Sequence, residues 1–241
     1  NEGRTLAVGA RNGYNKQGFV EVWDYNSAIT PKWAVRGGST NQAKWLLKQT
    51  SNIVNNQEFG ASVQLSSDGN KIIIGAPAYL GAYVGFVEIY TYDATNGWEI
   101  KGSRISQPNG AANDLFGLSV AMNDECDTIV IGCPHNDVNN SEMGFISIYN
   151  YDDTNTNDWV EYQKIREEYN NSGLPRFGIA VSMSLDGKYI SAVSQRGTQA
   201  NHLQDTSIST YLGGFCQLFV HEGSCLSIPR DFGHLSTLAP G

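Results

Sequence analysis

The sequence predicts an all-β fold built from four copies of one unit of about sixty residues. The pair Phe-Gly recurs four times at intervals of 57, 61 and 55 residues, at Phe59-Gly60, Phe116-Gly117, Phe177-Gly178 and Phe232-Gly233. A polar turn and a short apolar run follow each of the first three pairs. The 26 glycines, with many Asn, Asp and Ser residues, indicate frequent turns and therefore many short strands.

The first two strands of each unit are separated by the polar turn. Its residues are 67–69, 124–126 and 185–187, and the second strands that follow lie at 72–75, 129–132 and 189–193. Two of these second strands end in a Gly-small-Pro corner, at Gly75-Ala76-Pro77 and Gly132-Cys133-Pro134. Residues 1–10 match the same turn and second strand but have no Phe-Gly strand before them.

The third and fourth strands complete the unit. The third strands alternate with period two, at 18–23, 85–90, 144–149 and 214–219, so one face carries aliphatic pairs such as Val20 and Val22. The fourth strand contains tryptophan in three units, at Trp45, Trp98 and Trp159, and residues 225–228 take its place in unit four.

Four short strands joined by Gly and Asn/Asp turns predict a four-stranded antiparallel blade. One blade cannot bury both of its faces, so blades stack face to face around an axis, as in a β-propeller. We expect a single domain over 1–241. Its units are 1–57 together with 232–241, 58–114, 115–175 and 176–231.

The two ends of the chain predict how the ring closes. Residues 232–241 provide a first strand, which the opening unit lacks, so we expect this strand to pair antiparallel with residues 4–10. Two alternatives remain at this stage. The strand completes a blade in a neighbouring molecule and makes a filament, or a longer parent protein continues with more blades.

Residues 59–69, 72–77 and 85–90 resemble the FG-GAP repeat, and the resemblance covers nearly the whole chain as four units. That family builds β-propellers, including the head of integrin α subunits. The stretch from 98 to 132 is similar to the calcium-free FG-GAP subgroup, which is abundant in secreted and surface proteins of algae, other protists and bacteria. The resemblance implies an extracellular or cell-surface location.

Calcium-binding members of this family carry Asp-x-Asp-x-Asp-Gly in the turn between the first two strands. The corresponding turns here, at 66–70, 123–127 and 184–188, lack that spacing. Ca²⁺ requires six to eight oxygen ligands, so we expect no metal there. Residues 152–158 also alternate oxygen-bearing side chains, but an EF-hand count from Asp153 finds no Gly at position six and no Glu at position twelve. We interpret this segment as a solvated hairpin tip.

The sequence carries no constellation typical of an enzyme. HExxH, GxSxG and phosphate-loop motifs are absent, and His135 falls in a polar loop after a second strand. We therefore expect no catalytic residue and no cofactor. The net charge of −8 without a basic stripe argues against nucleic acid, and no apolar run approaches eighteen residues, which argues against membrane insertion.

Two kinds of covalent modification are predicted. Cys216 and Cys225 fall on neighbouring third and fourth strands and form the best disulfide pair, with free thiols as the alternative. Cys126 and Cys133 lie on one extended strand about 23 Å apart, too far to pair. Asn139 and Asn170 each begin a glycosylation sequon and would carry N-glycans in a eukaryotic secreted protein.

Two functions from different classes fit these features. The first is a non-enzymatic extracellular module that binds protein partners or associates with itself into a homo-oligomer, a surface assembly or a filament. The second is a polysaccharide-acting propeller enzyme or lectin, with acidic and aromatic side chains from several blades meeting at one mouth of the ring. Trp33 is the best exposed aromatic and the polar insertion 197–210 is the leading contact loop for either function.

Overall fold

The computed structural model describes residues 4–13, 17–28, 30, 32–36, 57–78, 84–138, 141–166, 176–197, 213–222 and 225–227. Within these ranges every named element is a β-strand. The strands form four antiparallel sheets, which we call blades 1 to 4, and one separate two-stranded hairpin.

Each blade is listed here with its strands in chain order. Blade 1 contains β1 (Thr5–Gly9), β2 (Val20–Tyr25) and β3 (Trp33–Val35). Blade 2 contains β4 (Ser62–Leu65), β5 (Lys71–Ala76), β6 (Phe86–Asp93) and β7 (Gly97–Ile100), with β8 (Ile105–Ser106) also paired to β6. Blade 3 contains β9 (Ser119–Met122), β10 (Thr128–Cys133), β13 (Phe145–Asp152) and β14 (Asp158–Ile165), and its β10–β13 connection carries the hairpin β11 (Asp137–Val138) and β12 (Ser141–Glu142). Blade 4 contains β15 (Ala180–Met183), β16 (Tyr189–Gly197), β17 (Gly213–Glu222) and β18 (Cys225–Ser227).

The turns between the first two strands of blades 2 to 4 are tight because one residue in each adopts a positive φ. Gly69 and Gly187 both have φ of 74°, and Cys126 takes the corresponding place in blade 3 with φ of 54°. Glycine adopts this conformation without a Cβ penalty. In blade 3 the side-chain carbonyl of Asn123 instead accepts bonds from the amides of Asp127 and Thr128, both at 3.1 Å, and these hold the turn.

Consecutive blades pack face to face. We call the face that contacts the next blade along the chain the following face, and the opposite one the preceding face. The following faces carry the aliphatic pairs of the third strand, Val20 with Val22, Val87 with Ile89, and Ile146 with Ile148, all with no exposed surface. These pairs pack on the preceding faces of blades 2, 3 and 4 and give three separate apolar clusters. The core of the molecule is therefore a series of interfaces between neighbouring blades.

The sequence prediction of an all-β, propeller-type fold of four-stranded antiparallel blades is confirmed by these sheets. One strand assignment is corrected. The outer strand of blade 1 contains Trp33, which pairs with Tyr25 as Trp98 pairs with Tyr92 and Trp159 with Tyr151. The same three pairs bring their rings together, with centroids 5.1–5.2 Å apart. Trp45, the predicted fourth-strand tryptophan, and the closing strand 232–241 lie outside the described residues.

Candidate functional site

The Phe-Gly pairs of blades 2, 3 and 4 lie against the backbone of the blade before them. An ideal Cβ on Gly9 would lie 2.1 Å from the carbonyl oxygen of Gly60, and one on Gly75 would lie 2.0 Å from that of Gly117. Gly132 has the same relation to Gly178, at 2.1 Å. The glycine at the end of the second strand is thus required by the close approach of the next blade.

A serine on the first strand supports the same contact. Ser62 donates to the carbonyl of Gly117 at 2.9 Å, and Ser119 donates to that of Gly178 at 2.8 Å. The carbonyl of the Phe-Gly glycine is therefore held by a hydroxyl and fitted against a glycine of the preceding blade. This interface explains both halves of the repeated motif.

Charged side chains of the outer strands also cross between blades. Arg36 of blade 1 donates to the carbonyl of Gly69 in blade 2 and lies 5.1 Å from the ring centroid of Tyr92. Lys101 of blade 2 makes the equivalent contacts in blade 3, donating to the carbonyl of Cys126. The outer strand of one blade is in this way tied to the turn of the next.

The turns between the first two strands carry acidic side chains, and one of these also links two blades. Asp124 accepts hydrogen bonds from the amide and hydroxyl of Ser67 in the preceding blade, both at 2.6 Å. These bonds hold the pKa of Asp124 below its ordinary value of 3.8, and the bond from the hydroxyl has the larger effect. Asp68 and Asp186 accept bonds from Ser66 and Ser184 within their own turns, at 2.5 and 2.6 Å. All three carboxylates thus have structural partners.

Glu88 is an ionisable group inside the interface between blades 1 and 2. Only 1 % of its surface is exposed, and it accepts bonds from Arg104 Nε at 2.8 Å and from the Tyr90 hydroxyl at 2.6 Å. Burial, together with the neighbouring Glu88 carboxylate, raises the pKa of Tyr90 far above its ordinary range. Tyr90 therefore stays protonated and donates its hydrogen bond to Glu88. Glu88 and Arg104 form a structural ion pair in which each charge balances the other.

The preceding face of blade 1 is open. Leu6 and Val8 are 48 % and 43 % exposed, whereas their counterparts in blade 2, Ile72 and Ile74, have no exposed surface. Trp23, the counterpart of the buried Tyr90, is half-buried. We call the set Leu6, Val8, Phe19, Glu21 and Trp23 the open face of blade 1. It is the candidate functional site, because the equivalent apolar positions of the other blades are covered by protein.

None of the described blades covers the following face of blade 4, and its chemistry differs from that of the open face of blade 1. Cys216 and Ser182 are exposed and Tyr189 is 49 % exposed, while Ser191, Val193 and Leu218 are half-buried. Cys216 and Ser191 stand where blade 3 has the buried Ile146 and Val130. This face is accordingly more polar than the three following faces that are packed.

The predicted disulfide between Cys216 and Cys225 is not formed, because Cys216 is a free thiol. The register explains why: Cys225 lies opposite Glu222, and Cys216 lies opposite Val193 on the other neighbouring strand. Six residues separate Cys216 from Glu222, about 20 Å of strand.

Cys126 and Cys133 are also free and are buried. Burial raises the pKa of the Cys126 thiol to about 11 and raises that of Cys133 further.

Other residues singled out in the sequence have structural roles. His135 is half-buried, and its amide donates to the carbonyl of the buried Asp114 at 3.1 Å. Asp114 accepts a bond from Asn136 at 2.8 Å, which in turn accepts one from Arg166 at 2.8 Å. This chain of contacts joins the loops that flank β10 and β14.

The acidic segment 152–158 is a hairpin tip, as its sequence indicates. The carboxylate of Asp152 accepts bonds from the amide of Asn155 at 3.0 Å and from the hydroxyl of Thr154 at 2.9 Å, which lower its pKa to about 2. Trp33 is 36 % exposed at the edge of blade 1. Asn139, Asn170 and nearly all of the contact loop 197–210 lie outside the described residues.

The described ranges contain no group of three or more His, Cys, Asp or Glu side chains placed to hold a metal ion. They also contain no helix that is long and apolar enough to cross a membrane.

Four stacked antiparallel blades with this recurrent docking geometry define a propeller-type repeat protein. Residues 101–149 match the FG-GAP repeat family, and the other blades follow the same strand plan. This match supports the resemblance to FG-GAP β-propellers seen in the sequence.

Comparison with known proteins adds distant similarities of fold. No curated protein sequence matches the chain. Solved structures similar to it include two proteins named putative 6-phosphogluconolactonases. The protein from Bacteroides fragilis is 14 % identical with a TM-score of 0.46, and the protein from Bacteroides uniformis is 12 % identical with a TM-score of 0.45. Each similarity covers 88 % of this chain and 47 % of the other protein. The β-propeller domain of the Trilobed protease from Pyrococcus furiosus has 14 % identity and TM-score 0.40, covering 93 % of this chain and 54 % of its own. The chain spans about half the length of these structures.

The open face of blade 1 was not identified as a site from the sequence. Leu6 and Val8 match the repeat pattern, which assigns them to packing between blades. The signal in the sequence is that no Phe-Gly strand stands before them, a feature from which the sequence predicts ring closure. Only the exposed fractions distinguish these residues from their buried counterparts.

Proposed function

We propose that this chain is a non-enzymatic, extracellular interaction and structural module of the calcium-free FG-GAP type, and that it binds through the open face of blade 1. The observation that carries the proposal is the exposure of Leu6 and Val8, at 48 % and 43 %, at positions that are fully covered in blade 2. Exposed apolar surface of this kind is typical of protein interaction sites.

The occupant we propose for this face is a second copy of the chain. Positions equivalent to the open face contact another blade of the same repeat in all three described interfaces. In each of these interfaces the strand face of one blade covers the positions equivalent to Leu6 and Val8, so a strand face of a second copy would cover them in the same way. Self-association through blades would also make the module a component of an assembly.

The titratable groups favour a binding module over a polysaccharide-acting enzyme. Glu88 is paired with Arg104, Asp124 holds Ser67 of the preceding blade, and Asp158 accepts a bond from the amide of Ser103 at 2.7 Å. An acid–base pair for glycoside hydrolysis requires two carboxyl groups facing the substrate. These three carboxylates are instead used between strands and blades.

The experiment that tests the proposal has two parts. Sedimentation velocity over a concentration series should show reversible self-association, and the double variant Leu6→Glu/Val8→Glu should remain a monomer. Incubation with a panel of polysaccharides, followed by measurement of new reducing ends, should show no product. Release of reducing ends, or a monomer at every concentration, would contradict the proposal.

Location is tested by expression in a eukaryotic secretory host. We expect the protein in the medium, with N-glycans at Asn139 and Asn170 that a glycosidase removes. A secreted product with the mass of the bare 26.3 kDa chain would contradict the glycan assignment.

A further inference from the structure

Blades 1, 2 and 3 each carry a tyrosine on the third strand opposite a tryptophan on the outer strand. The pairs are Tyr25 with Trp33, Tyr92 with Trp98, and Tyr151 with Trp159. Their ring centroids lie 5.1–5.2 Å apart, and their ring planes are inclined by 56–65°. Alternation along the third strand places each tyrosine on the preceding face of its blade, so each pair stands at the outer edge of that face.

The pairs of blades 2 and 3 each hold a cation from the blade before them. The guanidinium carbon of Arg36 lies 5.1 Å from the ring centroid of Tyr92, and the ammonium group of Lys101 lies 4.3 Å from that of Tyr151. Both cations stand three residues after the tryptophan of their own blade. A cation within about 6 Å of an aromatic ring centroid is attracted by the negative face of the ring. Each pair is therefore one half of a contact whose other half belongs to the blade that packs on it.

The interface between blades 3 and 4 lacks both halves of this contact. At the positions of the aromatic pair, blade 4 has His221 opposite Leu226. Three residues after Trp159, where the cation would stand, blade 3 has Tyr162. In the three described interfaces the cation and the aromatic pair are thus present together or missing together, which indicates that they serve one another.

Blade 1 offers the aromatic half of the contact at the edge of its open face. Trp33 is 36 % exposed, whereas Trp159, which lies beside Lys101, is 8 % exposed. None of the described residues places a cation against Tyr25 or Trp33. The blade 1 pair therefore has the geometry of the two occupied pairs and lacks a described cation.

A carboxylate on the open face favours the same kind of partner. Glu21 holds the position that Glu88 holds in blade 2. Glu88 is neutralised by Arg104 at 2.8 Å. The described residues place no cation beside Glu21, which accepts a bond from the indole of Trp23 at 3.1 Å. The open face thus combines apolar surface with a negative charge, which is complementary to a partner that carries a positive one.

We propose that Tyr25 and Trp33 form a binding site for one cationic side chain, an arginine or lysine on the outer strand of the partner that covers the open face of blade 1. This inference rests on the proposed function, in which the partner is a second copy of the chain, and it specifies the contact that the partner makes. The site distinguishes a charged side chain from a neutral one of the same shape, because the attraction to the rings depends on the charge.

The first measurement uses the indole N–H signal of Trp33 in the NMR spectrum, at a protein concentration where the chain is monomeric. Trp33→Leu identifies the signal by its loss. N-acetyl-arginine methylamide should shift this signal, and N-acetyl-citrulline methylamide, which has nearly the same shape but no charge, should shift it at least about tenfold less. The signal of Trp159 is the internal control and should not move, because Lys101 already lies 5.6 Å from that ring. Equal shifts from the two compounds, or no shift from either, would overturn the inference.

Sedimentation velocity tests whether the partner uses this site. Trp33→Leu keeps an apolar side chain but loses the aromatic face, so we expect self-association to weaken by about three- to fivefold. Trp33→Phe keeps a ring and should lie between Trp33→Leu and the wild type. Ile100→Ala is the matched control, because Ile100 is 39 % exposed on the outer strand of blade 2 and lies outside the open face. This control should leave self-association unchanged, and thermal unfolding checks that each variant is folded.

The two measurements separate this inference from the proposed function. Self-association that is unchanged in Trp33→Leu would overturn the inference and leave the proposed self-association standing. A monomer at every concentration would overturn the proposed self-association, while an arginine-specific shift at Trp33 would still support the cation site.

Discussion

The ammonium group of Lys101 lies 4.3 Å from the ring centroid of Tyr151, although the two residues belong to different blades. The same group donates to the carbonyl of Cys126 and lies 5.6 Å from the ring centroid of Trp159. The Trp159 indole completes the contact by donating to the carbonyl of Lys101 at 2.8 Å. Blade 2 is thus fastened to blade 3 at its outer edge, as blade 1 is fastened to blade 2 by Arg36.

Replacing Lys101 by methionine should lower the free energy of unfolding by about 1–2 kcal/mol. The variant keeps most of the apolar stem but loses a charge-assisted hydrogen bond and a cation–π contact. Chemical denaturation followed by fluorescence measures the change. Lys188→Met is the matched control, because Lys188 is 67 % exposed and its ion pair with Asp186 spans 3.9 Å. The control should change stability by less than about 0.5 kcal/mol, and an equal loss in both variants would contradict the role of Lys101.

Removing Arg104 should destabilise the interface between blades 1 and 2 because it leaves Glu88 buried without its cation. We expect Arg104→Leu to cost about 3 kcal/mol, the usual range for breaking a buried pair. The double variant Arg104→Leu/Glu88→Gln should recover part of this loss, since a neutral amide is cheaper to bury. Thermal unfolding compares the three proteins. No recovery in the double variant would show that the loss does not come from the stranded carboxylate.

Of the three cysteines whose side chains are described, Cys216 should react with maleimide at least about tenfold faster than Cys126 and Cys133 under native conditions. Cys216 is exposed, whereas burial raises the pKa of the other two thiols and so disfavours the reactive thiolate. Peptide mapping after brief labelling identifies the modified residue. Faster labelling of Cys133 would contradict the packing of blade 3 on blade 2. A Cys216–Cys225 link in the unreduced protein would contradict the register of β17 with β18.

Acid should weaken the contact between the turns of blades 2 and 3. The pKa of Asp124 is lower in the folded protein than its ordinary value of 3.8, so this carboxylate contributes stability above about pH 4. That contribution is lost as the pH falls through the folded-state pKa. Asp124→Asn should therefore flatten the dependence of the unfolding temperature on pH in the acid range. Ser67→Ala removes the hydroxyl donor and should have a similar, non-additive effect. Additive effects would show that the two residues act separately.

Much of the fold follows from the sequence because each blade repeats the same alternation. Val20, Val87 and Ile146 are predicted to face a neighbouring blade and are fully buried. The outer strand of blade 1 was misplaced because Trp45-Leu46-Leu47 is a stronger apolar run than Trp33-Ala34-Val35. Strand pairing around Trp33 is decided by the register with Tyr25, which local pattern does not specify.

The candidate site depended more heavily on the structure. Cys216 and Cys225 do fall on neighbouring strands, but the sequence does not specify a register that places Glu222 opposite Cys225. The sequence also shows that unit four lacks the Gly-small-Pro corner present after Gly75 and Gly132. The reason for this corner is visible only in the structure, where the backbone of the next blade approaches its glycine too closely for a side chain.

The central claim is that the Phe-Gly pairs of blades 2, 3 and 4 each dock on a glycine of the preceding blade. The most direct measurement is the unfolding free energy of Gly132→Ala beside Val193→Ala, which places the same side chain at equivalent positions of blades 3 and 4. We predict a loss of about 3 kcal/mol for Gly132→Ala, because its Cβ would lie 2.1 Å from the carbonyl oxygen of Gly178. Val193→Ala should cost less than about 1.5 kcal/mol, because none of the described blades packs on that half-buried side chain. A neutral Gly132→Ala, or a loss at Val193 as large as that at Gly132, would contradict the claim.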